Sequence, residues 1–424
     1  MTSPDGPEAD ARLDVFLDHV TAPLETLTQK RMFAAYSSGL LSDAERKSME
    51  PLAAQLRPDA PGAAHKALVY FTGTAVWDDR AVRRQALAWA LWGMTARGPV
   101  LGTILDDTGM LKQGKHSVGV HRQYTGSAGK LANCQIAVTL AVYTARHAAL
   151  ADVALYLPQA WTDDTARRDA ARVPADVIFQ TKGEIALTML KAAHADGVPL
   201  GRVLLADADY GRLVGLRAWC REVGMDYGVG IHNTQKIWDA EGVWTQPMTV
   251  ADVAAMTERK RWRRLVWKQG SAGQRLSGRF AFLRVQVTSG DEEPTAETPV
   301  EWLVIEWRDG ELAPSRFYLM SLPEDTSRTV LVRTLKERYR IEMIHEELKG
   351  EVGFDHFEGR SWPGWQHHAT VALSCHALLI AERCVDFPPW ASGRPAAGPY
   401  RRPPRPAPAP LRGDHPVARG AARR

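Results

Sequence analysis

The chain has 424 residues and a formal net charge of +4, a length that allows two or three domains. No apolar run approaches the roughly 20 residues of a membrane-spanning helix, and the polar, acidic first residues are unlike a signal peptide. We therefore expect a cytoplasmic protein with no membrane partner. The four cysteines lie far apart without a CxxC pair, which argues against a zinc site and a disulfide framework.

The positive charge is concentrated at the C-terminal end. Residues 386–424 carry eight Arg and two Asp, a charge of +6, which leaves −2 on the rest of the chain. The same segment holds ten prolines and few large apolar residues, so we predict a disordered Pro/Arg-rich tail. Any nucleic-acid binding by the rest of the chain must come from local patches.

Residues 1–95 are predicted to form a helical domain. Its first helix is marked by four apolar residues at helical spacing, Leu13, Phe16, Leu17 and Val20. Ser42 and Glu45 fit a capping box that would open another helix. A helix starting near residue 78 carries three arginines on one side, Arg80, Arg83 and Arg84. That side is either a solvated charged surface or a surface that contacts phosphate.

Residues 96–231 are predicted to form the first part of an α/β core. Apolar runs at 100–109, 134–144 and 149–158 indicate three strands in a meander. Two segments with helical periodicity, 181–197 and 213–224, then alternate with strand-like runs at 201–211 and 225–231. This order predicts a mixed sheet with helices on its faces.

Residues 232–322 interrupt this pattern with four short strand-like runs, which predict a β-rich insertion domain. Residues 323–385 return to helical periodicity. Within the insertion, residues 259–268 hold six cations and two tryptophans, a mixture typical of proteins that bind single-stranded or distorted DNA. The alternative is an edge strand whose tryptophans belong to the insertion's core. The candidate DNA-binding residues of this patch are Arg261, Trp262, Arg263, Arg264, Trp267 and Lys268.

A second basic stretch, residues 112–122, follows the first predicted strand. Its candidate DNA contacts are Lys112, Lys115, His116 and Arg122. Four histidines are predicted to be phosphate contacts or structural residues rather than Mg²⁺ ligands, because that ion does not favour imidazole: His116, His121, His367 and His368.

Two carboxylates, Asp106 and Asp207, stand where predicted buried strands run out. A carboxylate there is costly to bury unless it is paired or binds a cation. Strand alternation sends Asp106 and Asp107 to opposite faces and returns Asp209 to the face of Asp207. One such aspartate is more often a cap or turn former, but two in one sheet favour a site.

A predicted helix near the C-terminal end adds a third carboxylate. Arg338, Glu342 and Lys349 are spaced to share one face, and a separate apolar stripe faces the core, formed by Ile341, Ile344, Leu348 and Val352. The two cations either form weak ion pairs along the helix or flank a carboxylate that projects into a site.

Together these segments resemble the DDE-type insertion-sequence transposases, and most closely the insertion-sequence 701 family. Arg338–x3–Glu342–x6–Lys349 fits the signature helix of the larger group, although Leu335 stands where that signature has Tyr. The stretches 106–138, 154–158, 206–211 and 353–368 are also similar to the family. The resemblance covers roughly residues 10–385 and implies an α/β ribonuclease H-like core, a mixed sheet flanked by helices, with a helical N-terminal domain and a β-rich insertion.

The resemblance implies that Asp106, Asp207 and Glu342 hold two magnesium ions, for which manganese could substitute. It implies that the helical domain, residues 1–95, binds the terminal inverted repeats at the DNA ends. It also implies cleavage at those repeats, joining of the 3′-hydroxyl ends to target DNA, and a homodimer that synapses the ends, in the bacterial cytoplasm at the nucleoid. Arg338 and Lys349 would contact the scissile DNA backbone. Two alternatives stay open: a nuclease without transposition, and a non-catalytic DNA-binding protein derived from a transposase.

Overall fold

The computed structural model describes residues 6–269, 273–288 and 291–384. The predicted tail, 386–424, lies outside the described residues. The helices run as follows: α1 (Gly6–Val20), α2 (Leu27–Leu40), α3 (Met49–Leu56), α4 (Pro61–Gly73), α5 (Asp79–Thr95), α6 (Gln159–Thr162), α7 (Thr165–Ala171), α8 (Lys182–Ala195), α9 (Ala208–Gly211), α10 (Val214–Glu222), α11 (Val250–Met256), α12 (Arg328–Lys336), α13 (Tyr339–Gly350) and α14 (Trp362–Cys384). Among the described residues, no helix combines the length and apolarity needed to cross a membrane.

The strands form one mixed sheet. They are β1 (Gly102–Leu111), β2 (His121–Thr125), β3 (Lys130–Tyr143), β4 (Ala148–Leu155), β5 (Val203–Ala206), β6 (Asp226–Ile231), β7 (Lys236–Asp239), β8 (Met248–Thr249), β9 (Arg263–Gln269), β10 (Arg275–Gln286), β11 (Val300–Trp307) and β12 (Arg316–Met320). The order is β2-β3-β1-β5-β6-β12-β11-β10-β7-β8, with β4 beside β3 and β9 beside β10. The parallel pairs are β1 with β5 and β5 with β6.

The mixed sheet flanked by helices agrees with the predicted ribonuclease H-like core. The four strand-like runs of 232–322 are all strands, but they extend the core sheet and do not form a separate one. β12 pairs antiparallel with β6, so the ladder continues across the predicted boundary at residue 231. One hydrophobic cluster likewise joins core residues such as Leu204 to Ile305 of the predicted insertion.

The N-terminal helices differ from the prediction in the start of α3 and in two helices that were not predicted, α2 and α4. Ser42 and Glu45 do not open a helix, because α3 begins only at Met49. Ser42 instead donates its hydroxyl to the Gly39 carbonyl beyond the end of α2. The capping box lies earlier, at Thr26 and Gln29, and it opens α2, a helix that we did not predict.

The arginines of α5 form neither of the predicted surfaces. Arg83 is buried and binds Asp79 at 2.5 Å and Asp152 at 3.0 Å. Arg84 and Arg80 both bind Asp196, at 2.8 and 2.6 Å. These ion pairs fasten α5 to β4 and to the end of α8, so the arginines hold the helical region on the sheet.

Candidate active site

The three predicted catalytic carboxylates, Asp106, Asp207 and Glu342, line one cavity of 660 Å³. Both predicted flanking cations, Arg338 and Lys349, line it as well. The sheet brings β1 and β5 side by side in parallel, and α13 packs against β1. Residues that are up to 243 positions apart, Asp106 and Lys349, are therefore gathered at one edge.

Asp106 lies in the middle of β1 and not at a strand end as predicted, because the strand continues to Leu111. The side chain is only 13% exposed. Burial raises the pKa of Asp106 to about 7, against the attraction of Arg338, while the negative charge of Asp207 raises it further. A perturbed carboxyl in a cavity is a candidate for a functional role.

Asp207 ends β5 as predicted, and its role there is that of a helix cap. Its carboxylate accepts hydrogen bonds from the backbone N–H groups of Asp209 at 3.0 Å and Tyr210 at 3.3 Å. Burial raises its pKa. Since α9 starts at Ala208, strand alternation does not reach Asp209. Asp209 nevertheless lines the same cavity as Asp207. Asp209 is half exposed and lies 3.9 Å from Lys182.

Arg338 connects two of the three carboxylates. Its guanidinium donates to Asp106 at 2.6 Å and to Glu342 at 2.7 Å. Burial opposes the charge of Arg338, yet the carboxylates of Asp106 and Glu342 hold its pKa above the usual range. The helical prediction was imprecise here, because α12 and α13 are separate helices and Arg338 caps the second one. The ion-pair interpretation applies to Arg338, but its second partner is a strand residue.

Lys349 makes a different set of contacts. Its ammonium donates to the Gly109 carbonyl and to the Ser127 hydroxyl, each at 2.8 Å. Burial lowers its pKa. Lys349 therefore fastens α13 to β1 and to the turn between β2 and β3, at the rim of the cavity. The apolar stripe on the other side of α13 is buried as predicted.

Sequence reasoning missed Lys182 and His345, which line the cavity, and Tyr210, which contacts Asp107 beside it. Lys182 donates to Asp107 at 2.6 Å, and the Tyr210 hydroxyl donates to the same carboxylate at 3.3 Å. His345 lies 2.9 Å from the Thr139 hydroxyl, and burial lowers its pKa to about 3. The capping box of Thr181 and Glu184 marks the start of α8, but it does not indicate that Lys182 points towards β1.

The basic stretch at 112–122 lies mostly outside this cavity. The ammonium of Lys112 donates to the carbonyls of Asp355 at 3.0 Å and Phe357 at 2.6 Å, and burial lowers its pKa to about 8. Lys112 and His116 line a second, polar cavity. Lys115 and Arg122 are exposed. DNA contact by these four residues stays a prediction.

The predicted histidines separate into two groups. His116 and His121 are exposed. His367 and His368 are buried in α14, where His367 contacts the Thr72 carbonyl at 2.8 Å and His368 contacts the Tyr36 hydroxyl at 2.7 Å. The second pair therefore has a structural role.

The two tryptophans of the basic patch, residues 259–268, pack inward, as the alternative interpretation expects. Trp262 donates to the Thr257 carbonyl at 3.3 Å, and its ring meets the edge of Trp307. Trp267 packs edge-on against Phe280. The neighbouring cations differ from one another: Arg264 binds Asp309 at 2.8 Å, whereas Arg261 and Arg263 are exposed. Base stacking by either tryptophan stays a prediction.

The carboxylates suit a hard divalent cation in kind, because magnesium prefers oxygen ligands. Within the residues that the structure describes, no group of three His, Cys, Asp or Glu side chains is close enough to hold a metal ion. Arg338 lies between Asp106 and Glu342 and supplies the positive charge there. The carboxylate oxygens are therefore of the type that magnesium prefers. The distance between the carboxylates of Asp106 and Glu342 is set by Arg338, which binds both.

The chain is similar to known endonucleases and transposases. Residues 19–274 match the family described as DDE superfamily endonuclease, and residues 180–378 match the transposase DDE domain. A probable transposase for insertion sequence element IS701 from Microchaete diplosiphon is 30% identical over 174 residues, which are 41% of this chain and 41% of that protein. Since the first match covers more than half of the chain and includes Asp106 and Asp207, the chain belongs to the DDE superfamily of endonucleases, as its motifs predict.

Proposed function

We propose that this protein is the transposase of an insertion sequence, which cleaves DNA at the terminal inverted repeats of its element and transfers the 3′-hydroxyl ends into target DNA. The observation that carries the proposal is the joint placement of Asp106, Asp207 and Glu342 in one cavity with Arg338 and Lys349. Two copies of the chain would hold the two ends in one complex.

In this proposal the carboxylates Asp106, Asp207 and Glu342 would hold magnesium. Bound magnesium would supply a Lewis acid that activates the attacking oxygen and stabilises the leaving one. In its absence Arg338 neutralises Asp106 and Glu342, a task that a divalent cation would take over. The guanidinium would then be available for the phosphates of the substrate, with which it forms strong bidentate hydrogen bonds.

Lys349 and Lys182 would act by fixing the cavity walls. Lys349 holds the turn between β2 and β3 through Ser127, and Lys182 neutralises Asp107 beside the catalytic carboxylates. A negatively charged substrate would otherwise meet six acidic side chains in this cavity without compensation, Asp106, Asp107, Asp207, Asp209, Glu342 and Glu346.

Two other functions use the same site. A stand-alone nuclease would cleave without joining, because a shared fold does not fix function. A non-catalytic DNA-binding protein would have no need for acidic residues at all three positions, and this chain has them.

The deciding experiment uses DNA that carries the two sequences flanking the coding region. We expect magnesium-dependent cleavage at those ends, and joining of pre-cut ends to a plasmid by the full chain. Cleavage without joining would identify a nuclease. Binding with no cleavage in magnesium or manganese would identify the non-catalytic protein and overturn the proposal.

A further inference from the structure

Strand β9 presents two chemically different sides because it contains a β-bulge. Val266 pairs with Ser277 and Lys268 pairs with Leu276, so Trp267 is the extra residue. Leu265 and the bulge residue Trp267 face the hydrophobic cluster that β9 forms with α12. The bulge turns Lys268 to that same side, where its ammonium donates to the Tyr339 hydroxyl at 2.6 Å.

At the other end of β9, on the side of α12, four cations surround a cavity of 460 Å³. It is lined by Lys260, Arg261, Arg263, Phe282 and Arg328. Lys260 is paired with Glu258 at 2.7 Å. In the described parts of the chain, the three arginines have no carboxylate within ion-pair distance, and Arg328 lies 5.8 Å above the Phe282 ring. We call Arg261, Arg263 and Arg328 the arginine cluster.

Three unpaired guanidinium groups around one cavity repel one another, and this arrangement is relieved when an anion enters. Arginine forks match phosphate oxygens in geometry and are weakly hydrated. The matched contrast is Arg264, the next residue on β9, which is already neutralised by Asp309 and bound to Ser277. Strand alternation places its side chain on the side of β9 opposite to Arg263.

A continuous path of residues leads from the arginine cluster along β9 to the catalytic cavity. From Arg263 the strand runs five residues to Lys268, a distance of about 17 Å at roughly 3.3 Å per residue. Lys268 contacts Tyr339, and Tyr339 directly follows Arg338, which lines the catalytic cavity. Phosphates on one DNA strand repeat about every 3.4 Å along the helix axis. The stretch of β9 from Arg263 to Lys268 therefore matches the rise of about five nucleotides.

We propose that the arginine cluster binds the phosphodiester backbone of the DNA that occupies the catalytic cavity, about five nucleotides beyond Lys268, with Lys268 contacting the backbone between the cluster and the cavity. The ligand is a DNA strand and not a separate small anion, because the cations continue to the site of the chemistry. The inference rests on the proposed function in so far as the same DNA occupies both places. It adds Arg328 to the DNA contacts and removes Arg264 from them.

The test measures how the affinity for DNA depends on salt. The probe is a fluorescent duplex of about 20 base pairs with arbitrary sequence, in EDTA so that no cleavage occurs. The double variant Arg263→Ala/Arg328→Ala should bind more weakly, and its slope of log K against log salt should fall by about two units, since each phosphate contact contributes about 0.9. Arg264→Ala is the matched control, and it should keep the wild-type slope.

The charge-conserving variant Arg263→Lys/Arg328→Lys should also keep the slope, and thermal melting checks that each variant is folded. A wild-type slope in the folded alanine variant, or an equal loss in Arg264→Ala, would overturn the inference. If the proposed transposase activity fails while the slope falls as expected, the DNA site stands and only the catalytic assignment is lost.

Discussion

Arg338 and Asp106 are 232 positions apart in the sequence, and their side chains meet at 2.6 Å. Asp106 is 13% exposed, whereas Glu342, the other partner of Arg338, is 60% exposed. The buried pair therefore fixes where the guanidinium lies, and the exposed pair follows it. An arginine fixed in this way holds the carboxylates of Asp106 and Glu342 near each other, where they would otherwise repel.

Double-mutant cycles should separate the two ion pairs of Arg338. At about pH 8, above the pKa of about 7 for Asp106, we expect a coupling energy of about 2 kcal/mol between Arg338→Ala and Asp106→Asn. The coupling between Arg338→Ala and Glu342→Gln should be about 0.5 kcal/mol, because that pair is solvated. Urea unfolding gives both values, and equal couplings would contradict the ranking.

Neutralising the catalytic carboxylates should abolish cleavage and preserve DNA binding. We expect Asp106→Asn, Asp207→Asn and Glu342→Gln each to lose at least about 10³-fold in cleavage rate, a loss of about 4 kcal/mol in transition-state stabilisation. The measurement is cleavage of the flanking-sequence DNA with a parallel gel-shift assay.

The matched control for these variants is Glu346→Gln. Glu346 lies one turn after Glu342 on α13, is exposed and lines the same cavity. The Glu346→Gln variant should cleave at nearly the wild-type rate. If Glu346→Gln loses as much activity as Glu342→Gln, the general charge of the cavity matters and no single carboxylate can be assigned.

Lys47 should be important for stability although it is remote from the chemistry. Its buried ammonium donates to the carbonyls of Leu40, at 2.7 Å, and of Glu351, and it thereby joins the end of α2 to the end of α13. Lys47→Met leaves two carbonyls without a donor, which should cost about 2–4 kcal/mol. Differential scanning calorimetry should show a lower Tm, while Lys66→Met, at an exposed position of α4, should leave it unchanged.

His345 should make stability fall in acid. Burial, followed by the charges of Lys349 and Arg338, lowers its pKa from 6.5 to about 3. Below pH 6.5 the unfolded chain takes up a proton that the folded chain refuses, so stability is lost as the pH falls from 6.5 towards 3. The loss is about 1.4 kcal/mol per pH unit within that window.

The variant His345→Gln should reduce the dependence of the unfolding free energy on pH by the contribution of about one proton. The measurement is the free energy of unfolding in urea at several values between about pH 6 and pH 4.5. Wild type and variant with the same slope would mean that His345 accepts a proton in the folded protein.

The sequence predicts local structure well where periodicity is strong. The apolar stripe of α13, the strands β1, β3 and β4, and the grouping of Asp106, Asp207 and Glu342 all follow from pattern and motif. The sequence could not show which side chains distant in the chain form ion pairs with each other. Nothing near Arg83 and Arg84 in the sequence indicates that Asp152 and Asp196 will neutralise them.

Register and strand neighbours were the second kind of miss. The four strands of the predicted insertion were recognised, but their pairing with β6 depends on backbone hydrogen bonds that leave no compositional trace. The same holds for β2, a short strand with mostly exposed residues that pairs with the start of β3. Ser42 and Glu45 show the opposite error, in which the correct cap spacing occurs without a helix behind it.

Helix α14 follows α13 and is buried along most of its length. It contacts α1, α2, α4 and α5 on one side, and β4 and α13 on the other. The N-terminal helices therefore share their interior with the last helix of the core, and neither part can be replaced as a cassette. In a chimera that borrows its first 95 residues from a relative with different end specificity, the facing side of α14 would have to be borrowed too.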